Sequence, residues 1–171
     1  SGLARPAQAL DEQSAAVFID TAVKDAFAAL AAKTLTIDER RKVAKGLIER
    51  YADIPQVTEG LLGRYAARAA AEERTRFQGM FIDYLLTGLA GDMLMDIGSE
   101  PNIQIRAAHR QGDSVLVQTV AVSPGEDPLR IDWIVGTRPD ARPVVLDVLV
   151  EGVSPLKTMK DEFTSFLGSN G

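Results

Sequence analysis

Residues 145–167 read VLDVLVEGVSPLKTMKDEFTSFL and contain the change of pattern on which the fold depends. Apolar residues run through the first part as in a strand, up to about position 150. After Glu151 and Gly152 they recur at helical spacing, with Ser154 placed as the helix cap and Pro155 in the first turn. The stretch therefore predicts a strand that turns at once into an amphipathic C-terminal helix. None of its side chains is arranged as a catalytic group would be.

Three further strands are predicted upstream of this stretch, because the period of the apolar residues is close to 2 from position 103 onward. The four strands cover residues 103–110, 114–123, 129–135 and 144–150, and the breaks between them are short and rich in Gly, Pro and Asp. Breaks of this kind connect antiparallel neighbours. We expect a four-stranded antiparallel meander.

The N-terminal half has the helical period instead. One amphipathic helix is predicted over residues 14–32 and a longer one over 70–95. Between them Thr36 and Glu39 form the capping box of another helix, and Pro55 fits the first turn of a short one. Because helices and strands do not alternate, the fold class is α+β: N-terminal helices packed on a twisted four-stranded antiparallel sheet, followed by a C-terminal helix.

The composition excludes several classes of protein and site. The chain has 171 residues, so we expect a single domain over residues 1–171, with a flexible N-terminal segment at 1–13. It has no cysteine and one histidine, His109, which excludes thiolate sites and His-rich metal sites. The formal net charge of -5 argues against nucleic-acid binding. No apolar run approaches the ~20 residues that cross a bilayer.

No group of residues in the sequence points to catalysis. Asp147 and Glu151 would lie ~13 Å apart along a strand, which exceeds the ~5–9.5 Å between the carboxyl groups of glycosidases. His109 has no serine near it in a nucleophile-elbow pattern, and the glycine motifs that bind phosphate are absent. Clusters of Arg and Lys at helix starts are typical of a solvated helix face; the alternative is a rim that meets an anionic headgroup or an acidic partner protein.

The pattern D-x-x-x-E-G-V-S at 147–154, followed by a helix that ends in FTSFL, resembles the C-terminal signature of the MlaC family. These are the toluene-tolerance auxiliary proteins of an ABC transport system. LGRY at 62–65 and RFQGMF at 76–81 are similar to the family's helical pattern, and IDW at 131–133 to its third strand. The sequence departs from the family at Ala66 and at Arg142, where aromatic residues are usual. A hopanoid-associated relative therefore stays an alternative.

The resemblance implies a periplasmic phospholipid carrier of a Gram-negative cell, with an NTF2-like fold around a deep apolar pocket. Such a carrier shuttles lipid between an outer-membrane lipoprotein complex and an inner-membrane ABC transporter with a substrate-binding ring, and so maintains outer-membrane lipid asymmetry. It needs no catalytic residue, cofactor or metal, and we expect a monomer that is not embedded in a membrane. The start SGLARPAQALDEQ lacks the apolar region of a signal peptide, so we expect the leader to be missing from this chain.

In such a carrier the pocket would lie between the long helix and the sheet. Burying ~15 methylenes of one acyl chain contributes about 12 kcal/mol before the costs of ordering, and the headgroup can stay solvated at the mouth. The predicted lipid-binding residues are Phe77, Phe81, Tyr84 and Leu85 on the helix and Ile103, Ile105, Val117, Ile131, Trp133 and Val148 on the strands.

Two other interpretations stay open. The same fold hosts isomerases and dehydratases, and fold alone does not separate them from a carrier. The catalytic candidates would be Asp132, Asp147 and Tyr84, and a carboxylate inside the pocket with a raised pKa would favour an enzyme. The remaining alternative is an adaptor that binds protein and no lipid.

Overall fold

The computed structural model describes residues 10–89 and 102–170. Within these ranges the helices precede the strands, and one helix follows the last strand, so the predicted α+β class is confirmed. A 3-10 segment, Gly63–Arg68, follows the third helix, and a π-helical turn, Leu85–Leu89, follows the fourth. The helices are α1 (Glu12–Leu30), α2 (Ile37–Tyr51), α3 (Ile54–Leu62), α4 (Ala71–Tyr84) and α5 (Pro155–Asn170), and the strands are β1 (Asn102–Gln111), β2 (Ser114–Val122), β3 (Leu129–Thr137) and β4 (Pro143–Val150).

The strands form one antiparallel sheet in the order β1-β2-β3-β4, as the meander predicts. Val117 pairs with Trp133, and Trp133 pairs with Val148, so these three side chains share one face of the sheet. The register between β3 and β4 shifts between Ile134 and Val135, where β4 has one extra residue, Leu146. Such a bulge bends the strand and re-aims the side chains around it.

Side-chain caps fix the starts of the first helices. Asp11 accepts a hydrogen bond of 2.6 Å from the amide of Ser14, so α1 begins two residues earlier than its apolar period suggests. This contact with Ser14 also lowers the pKa of Asp11 below its usual value. The predicted capping box of Thr36 and Glu39 is present in full at the start of α2. Asp53 caps α3, with Pro55 in its first turn as predicted.

The N-terminal end of the described chain is attached to the sheet. Leu10 is buried beside α1 and β2, and its carbonyl accepts a hydrogen bond from Arg110 of β1. Residues 1–9 lie outside the described residues, so the flexibility of segment 1–13 stays a prediction. The helix predicted over 70–95 ends as an α-helix at Tyr84 and is followed by the π-helical turn Leu85–Leu89, and residues 90–95 lie outside the described residues.

The apolar core consists of two clusters. The first joins α2, α3 and α4 and contains Leu61 and Phe81. The second is formed where α1 packs on β1 and β2, with Ile19 against Val115 and Val117. The sheet is therefore covered by α1, whereas α3 and α5 pack together beside β4. In the described part of the chain, no helix combines the length and apolar character that a membrane crossing requires.

Candidate functional site

An apolar groove with a volume of about 310 Å³ lies between α3, β4 and the start of α5. This volume corresponds to about ten water molecules and falls at the small end of ligand pockets. Aliphatic side chains supply its apolar surface, and two ammonium groups, a carboxylate, an amide and a hydroxyl supply its polar groups. The lining residues are Gln56, Val57, Gly60, Leu61, Leu146, Asp147, Ser154, Leu156, Lys157 and Lys160.

The groove is continuous with the first core cluster. Leu61 belongs to that cluster and is 5% exposed, while Val57 and Leu156 pack against it from α3 and α5. Phe81 of α4 is buried in the same cluster. The apolar wall of the groove is thus the outer surface of the first core cluster. If α3 and α5 moved apart, the groove would extend into that cluster.

The turn from β4 into α5 holds the polar side of the groove. Glu151 and Gly152 have positive φ angles of 51° and 79°, and Val150 and Val153 exchange two backbone hydrogen bonds of 3.0 Å. This is the backbone of a tight type I′ turn, in which Gly152 is favoured because it has no Cβ. Glu151 is kept in this conformation by β3, because its side chain accepts from the amide of Arg130 at 2.7 Å and its own amide donates to the Arg130 carbonyl.

Ser154 connects the strand to the helix. Its hydroxyl donates to the Asp147 carboxylate at 2.6 Å and accepts from the amide of Lys157 at 3.0 Å, which caps α5 as predicted. The other Asp147 oxygen accepts from the amide of Val148 at 2.8 Å. The motif D-x-x-x-E-G-V-S therefore has a structural explanation: it fixes the direction in which α5 leaves the sheet, and with it one wall of the groove.

Ser154→Ala is expected to lower the free energy of unfolding by about 1 kcal/mol, because α5 loses its cap and the Asp147 carboxylate loses a partner. Urea denaturation followed by circular dichroism measures the change. Ser154→Thr is the matched control, since threonine keeps the capping hydroxyl, and it should retain most of the stability. Equal stability of wild type, Ala and Thr variants would show that the cap is not what positions α5.

The structure places the predicted lipid-binding residues of α4 unevenly. Phe81 is buried in the first cluster, and Phe77 and Leu85 pack against that cluster at half-buried positions. Tyr84, in contrast, is 48% exposed. The four predicted residues of α4 are therefore divided between the core and the surface. Those in or against the first core cluster lie behind the groove and do not line it.

The predicted residues of the sheet lie on the other side from the groove. Val117 is buried under α1, and Trp133 packs against the same cluster, with its indole N–H donating to Thr119 at 3.1 Å. Val148 pairs with Trp133, whereas its neighbour Asp147 pairs with Ile134 and so points to the opposite face. The remaining residues range from buried to partly exposed: Ile131 is buried, Ile103 is half-buried and Ile105 is 36% exposed.

None of the residues predicted for lipid binding lines the groove, and their role in binding stays a prediction. The sequence predicted the short helix that starts near Pro55 and the amphipathic C-terminal helix, but it did not predict that Val57 and Leu61 of the first meet Leu156 of the second. Two signals were available in the sequence. Gly60 is a residue without a side chain inside a short apolar helix. Lys157 and Lys160 lie near the start of a helix whose first turn has no acidic residue, although acidic residues are usual there.

The groups considered for catalysis have separate surroundings. Asp132 is 1% exposed, and Arg130 donates to its Oδ2 at 2.9 and 2.5 Å. These hydrogen bonds raise the pKa of Arg130 above its usual value. Oδ1 of Asp132 is buried without a partner among the described residues. Asp147 lines the groove, where Ser154 and the Val148 amide already bond it, and Tyr84 is exposed on α4.

Comparison with known proteins gives a family and a fold. The family model described as "MlaC protein" matches residues 20–171. Among solved structures, a phospholipid-binding protein from Ralstonia solanacearum, in complex with a phospholipid, is similar with a TM-score of 0.80 and 21% sequence identity, covering 92% of this chain and 89% of that chain. At this identity the similarity shows a shared fold. No curated protein sequence matches this chain.

Proposed function

This chain belongs to the MlaC family, as the resemblance of its C-terminal motif predicts, and from that premise we propose that it is a phospholipid carrier. Residues 1–171 would form a single lipid-binding domain that holds acyl chains and performs no chemistry on them. The observation that carries the proposal is the groove between α3, β4 and α5, which has an aliphatic wall and a charged rim. A relative with the same fold was solved with a phospholipid bound.

The groove sets how much of a lipid is held. Its 310 Å³ accommodates roughly ten methylenes, since a methylene is about as large as a water molecule. Burying roughly ten methylenes contributes about 8 kcal/mol before the costs of ordering. A complete phospholipid has more hydrocarbon than this, so we expect α5 to move away from α3 when the lipid enters. The first core cluster, directly behind Leu61, would then supply further apolar surface.

A carrier suits this arrangement better than an enzyme does. The carboxylate that lines the groove, Asp147, is held by Ser154 and by the backbone, where it supports the start of α5. Hydrocarbon held in the groove would leave slowly into water, so transfer requires direct docking to a donor and an acceptor. In keeping with the family, we propose a periplasmic protein that exchanges lipid with an outer-membrane lipoprotein complex and an inner-membrane ABC transporter with its substrate-binding ring, in maintenance of outer-membrane lipid asymmetry.

Purification from a Gram-negative host followed by organic extraction and mass spectrometry tests the binding step. We expect glycerophospholipid in near-equimolar amount, with an unrelated protein purified in the same way as the control. An extract that contains hopanoids in place of glycerophospholipids would favour the hopanoid-associated alternative. An extract free of both, from protein with a native circular dichroism spectrum, would contradict the carrier and favour an adaptor.

A further inference from the structure

Lys157 and Lys160 form a basic rim at the mouth of the groove. They are three residues apart on α5, so their side chains leave the same side of the helix, and both line the groove. Both residues are exposed. Neither ammonium group forms an ion pair with a described residue, whereas the lysines Lys24 and Lys45 do.

The charge of the rim differs from that of the whole protein. Among the lining residues, Lys157 and Lys160 carry positive charge and Asp147 carries negative charge, which leaves an excess of one positive charge. The complete chain has a formal net charge of -5. The negative charge of Asp147 is included in this sum; its oxygens accept hydrogen bonds from Ser154 and from the Val148 amide, and it forms no ion pair with either lysine. The lining of the groove thus carries a net positive charge, although the protein as a whole is acidic.

The stability of α5 does not explain why lysines lie near its N-terminal end. A positive side chain in the first turn of a helix opposes the helix dipole, which favours acidic residues there. The first turn of α5 contains no acidic residue, unlike that of α2, which contains Asp38 and Glu39. Lys157, in the first turn, therefore works against the helix that carries it, and an anionic ligand in the groove would remove this conflict.

We propose that Lys157 and Lys160 select lipids with an anionic phosphate headgroup, so that the ligand lies with its hydrocarbon against Leu61, Leu146 and Leu156 and its phosphate at the two ammonium groups. This inference rests on the proposed lipid-carrier function and adds a headgroup preference to it. A zwitterionic lipid such as phosphatidylcholine carries the same phosphate, but its own quaternary ammonium competes with the lysines. Free phosphate shares the charge of the headgroup and lacks the chain that would fill the groove.

Calorimetric titration of the delipidated full chain tests the preference. The probes are dihexanoylphosphatidylglycerol, dihexanoylphosphatidylcholine and inorganic phosphate, each dissolved as monomers. We expect the phosphatidylglycerol to bind about fivefold more tightly than the phosphatidylcholine at low salt, which corresponds to two partly solvated charge contacts. In the double variant Lys157→Gln, Lys160→Gln the two lipids should bind almost equally, and raising the salt should have the same effect on wild type.

The matched control is Lys42→Gln, Lys45→Gln, an exposed pair with the same spacing and charge change on α2, which should keep the preference. Equal binding of both lipids by wild type, or a preference unchanged in the Lys157 and Lys160 variant, overturns the headgroup inference and leaves the carrier in place. Binding of neither lipid overturns the carrier and the inference with it. Binding of inorganic phosphate as tight as that of the anionic lipid would assign the lysines to phosphate alone, and so would also overturn the inference.

Discussion

A Gly60→Trp variant should fold normally and lose its bound phospholipid. Gly60 lines the groove, and a Cβ added at this position would meet no atom within 4 Å. The residue lies inside α3 with ordinary helical backbone angles, and tryptophan has a higher helix propensity than glycine. An indole, one of the largest side chains, would occupy the groove in which we propose that the acyl chain lies. We expect the affinity for phospholipid to fall at least about tenfold, which corresponds to a loss of about 1.4 kcal/mol in binding, and the recovered phospholipid to fall with it.

Gly46→Trp is the control for this experiment. Gly46 lies within α2, it is exposed, and a Cβ there also meets nothing within 4 Å. Both variants replace a helical glycine by the same residue, but only the first fills the groove. Lipid content by mass spectrometry and melting temperature by circular dichroism are measured on both. If the Gly60 variant retains lipid to the same extent as the Gly46 variant, the acyl chain binds elsewhere.

The second large effect concerns stability. Phe81→Ala is expected to lower the free energy of unfolding by about 3–5 kcal/mol, because it leaves a cavity in the first core cluster. Phe81 is 4% exposed and shares that cluster with Leu61, Ile54 and Leu86. Urea denaturation measures the loss, and a two-state transition of unchanged slope would show that the native fold is retained below the midpoint.

Tyr84→Ala is the comparison on the same helix. Tyr84 is 48% exposed, and removing its ring should cost less than about 1 kcal/mol. Similar losses in the free energy of unfolding for the two variants would contradict the assignment of Phe81 to the core and of Tyr84 to the surface. The distinction matters for lipid assays, because a charged substitution at Phe81 is expected to unfold the protein and so to abolish lipid binding indirectly, whereas Tyr84 can be changed without that ambiguity.

Features that depend on neighbouring residues were predictable from sequence. The capping box of Thr36, the cap at Ser154 and the turn at Gly152 are each settled within a few residues, and the structure contains all three. The strand breaks were predictable for the same reason, since Gly, Pro and Asp act locally. Short connections then left few topologies other than the observed meander.

Features that depend on which surfaces meet were not predictable. An apolar helix face indicates burial but not its partner, and the sequence suggested the sheet for Phe81, whereas α3 is its neighbour in the structure. The bulge in β4 was not predictable either, because an apolar run such as VVLDVLV does not show at which residue the pairing register with β3 shifts. That shift decides that Leu146 and Asp147 line the groove and that Val148 does not.

The bulged residue Leu146 also limits which residue β3 can carry at position 136. A Cβ at Gly136 of β3 would lie 2.5 Å from Cδ1 of Leu146, so the two positions are constrained together. Alanine at 136 would require the Leu146 side chain to move or a shorter residue to take its place, and either change would alter the width of the groove. The width of the groove would then depend on paired replacements inside the sheet, with the surrounding helices unchanged.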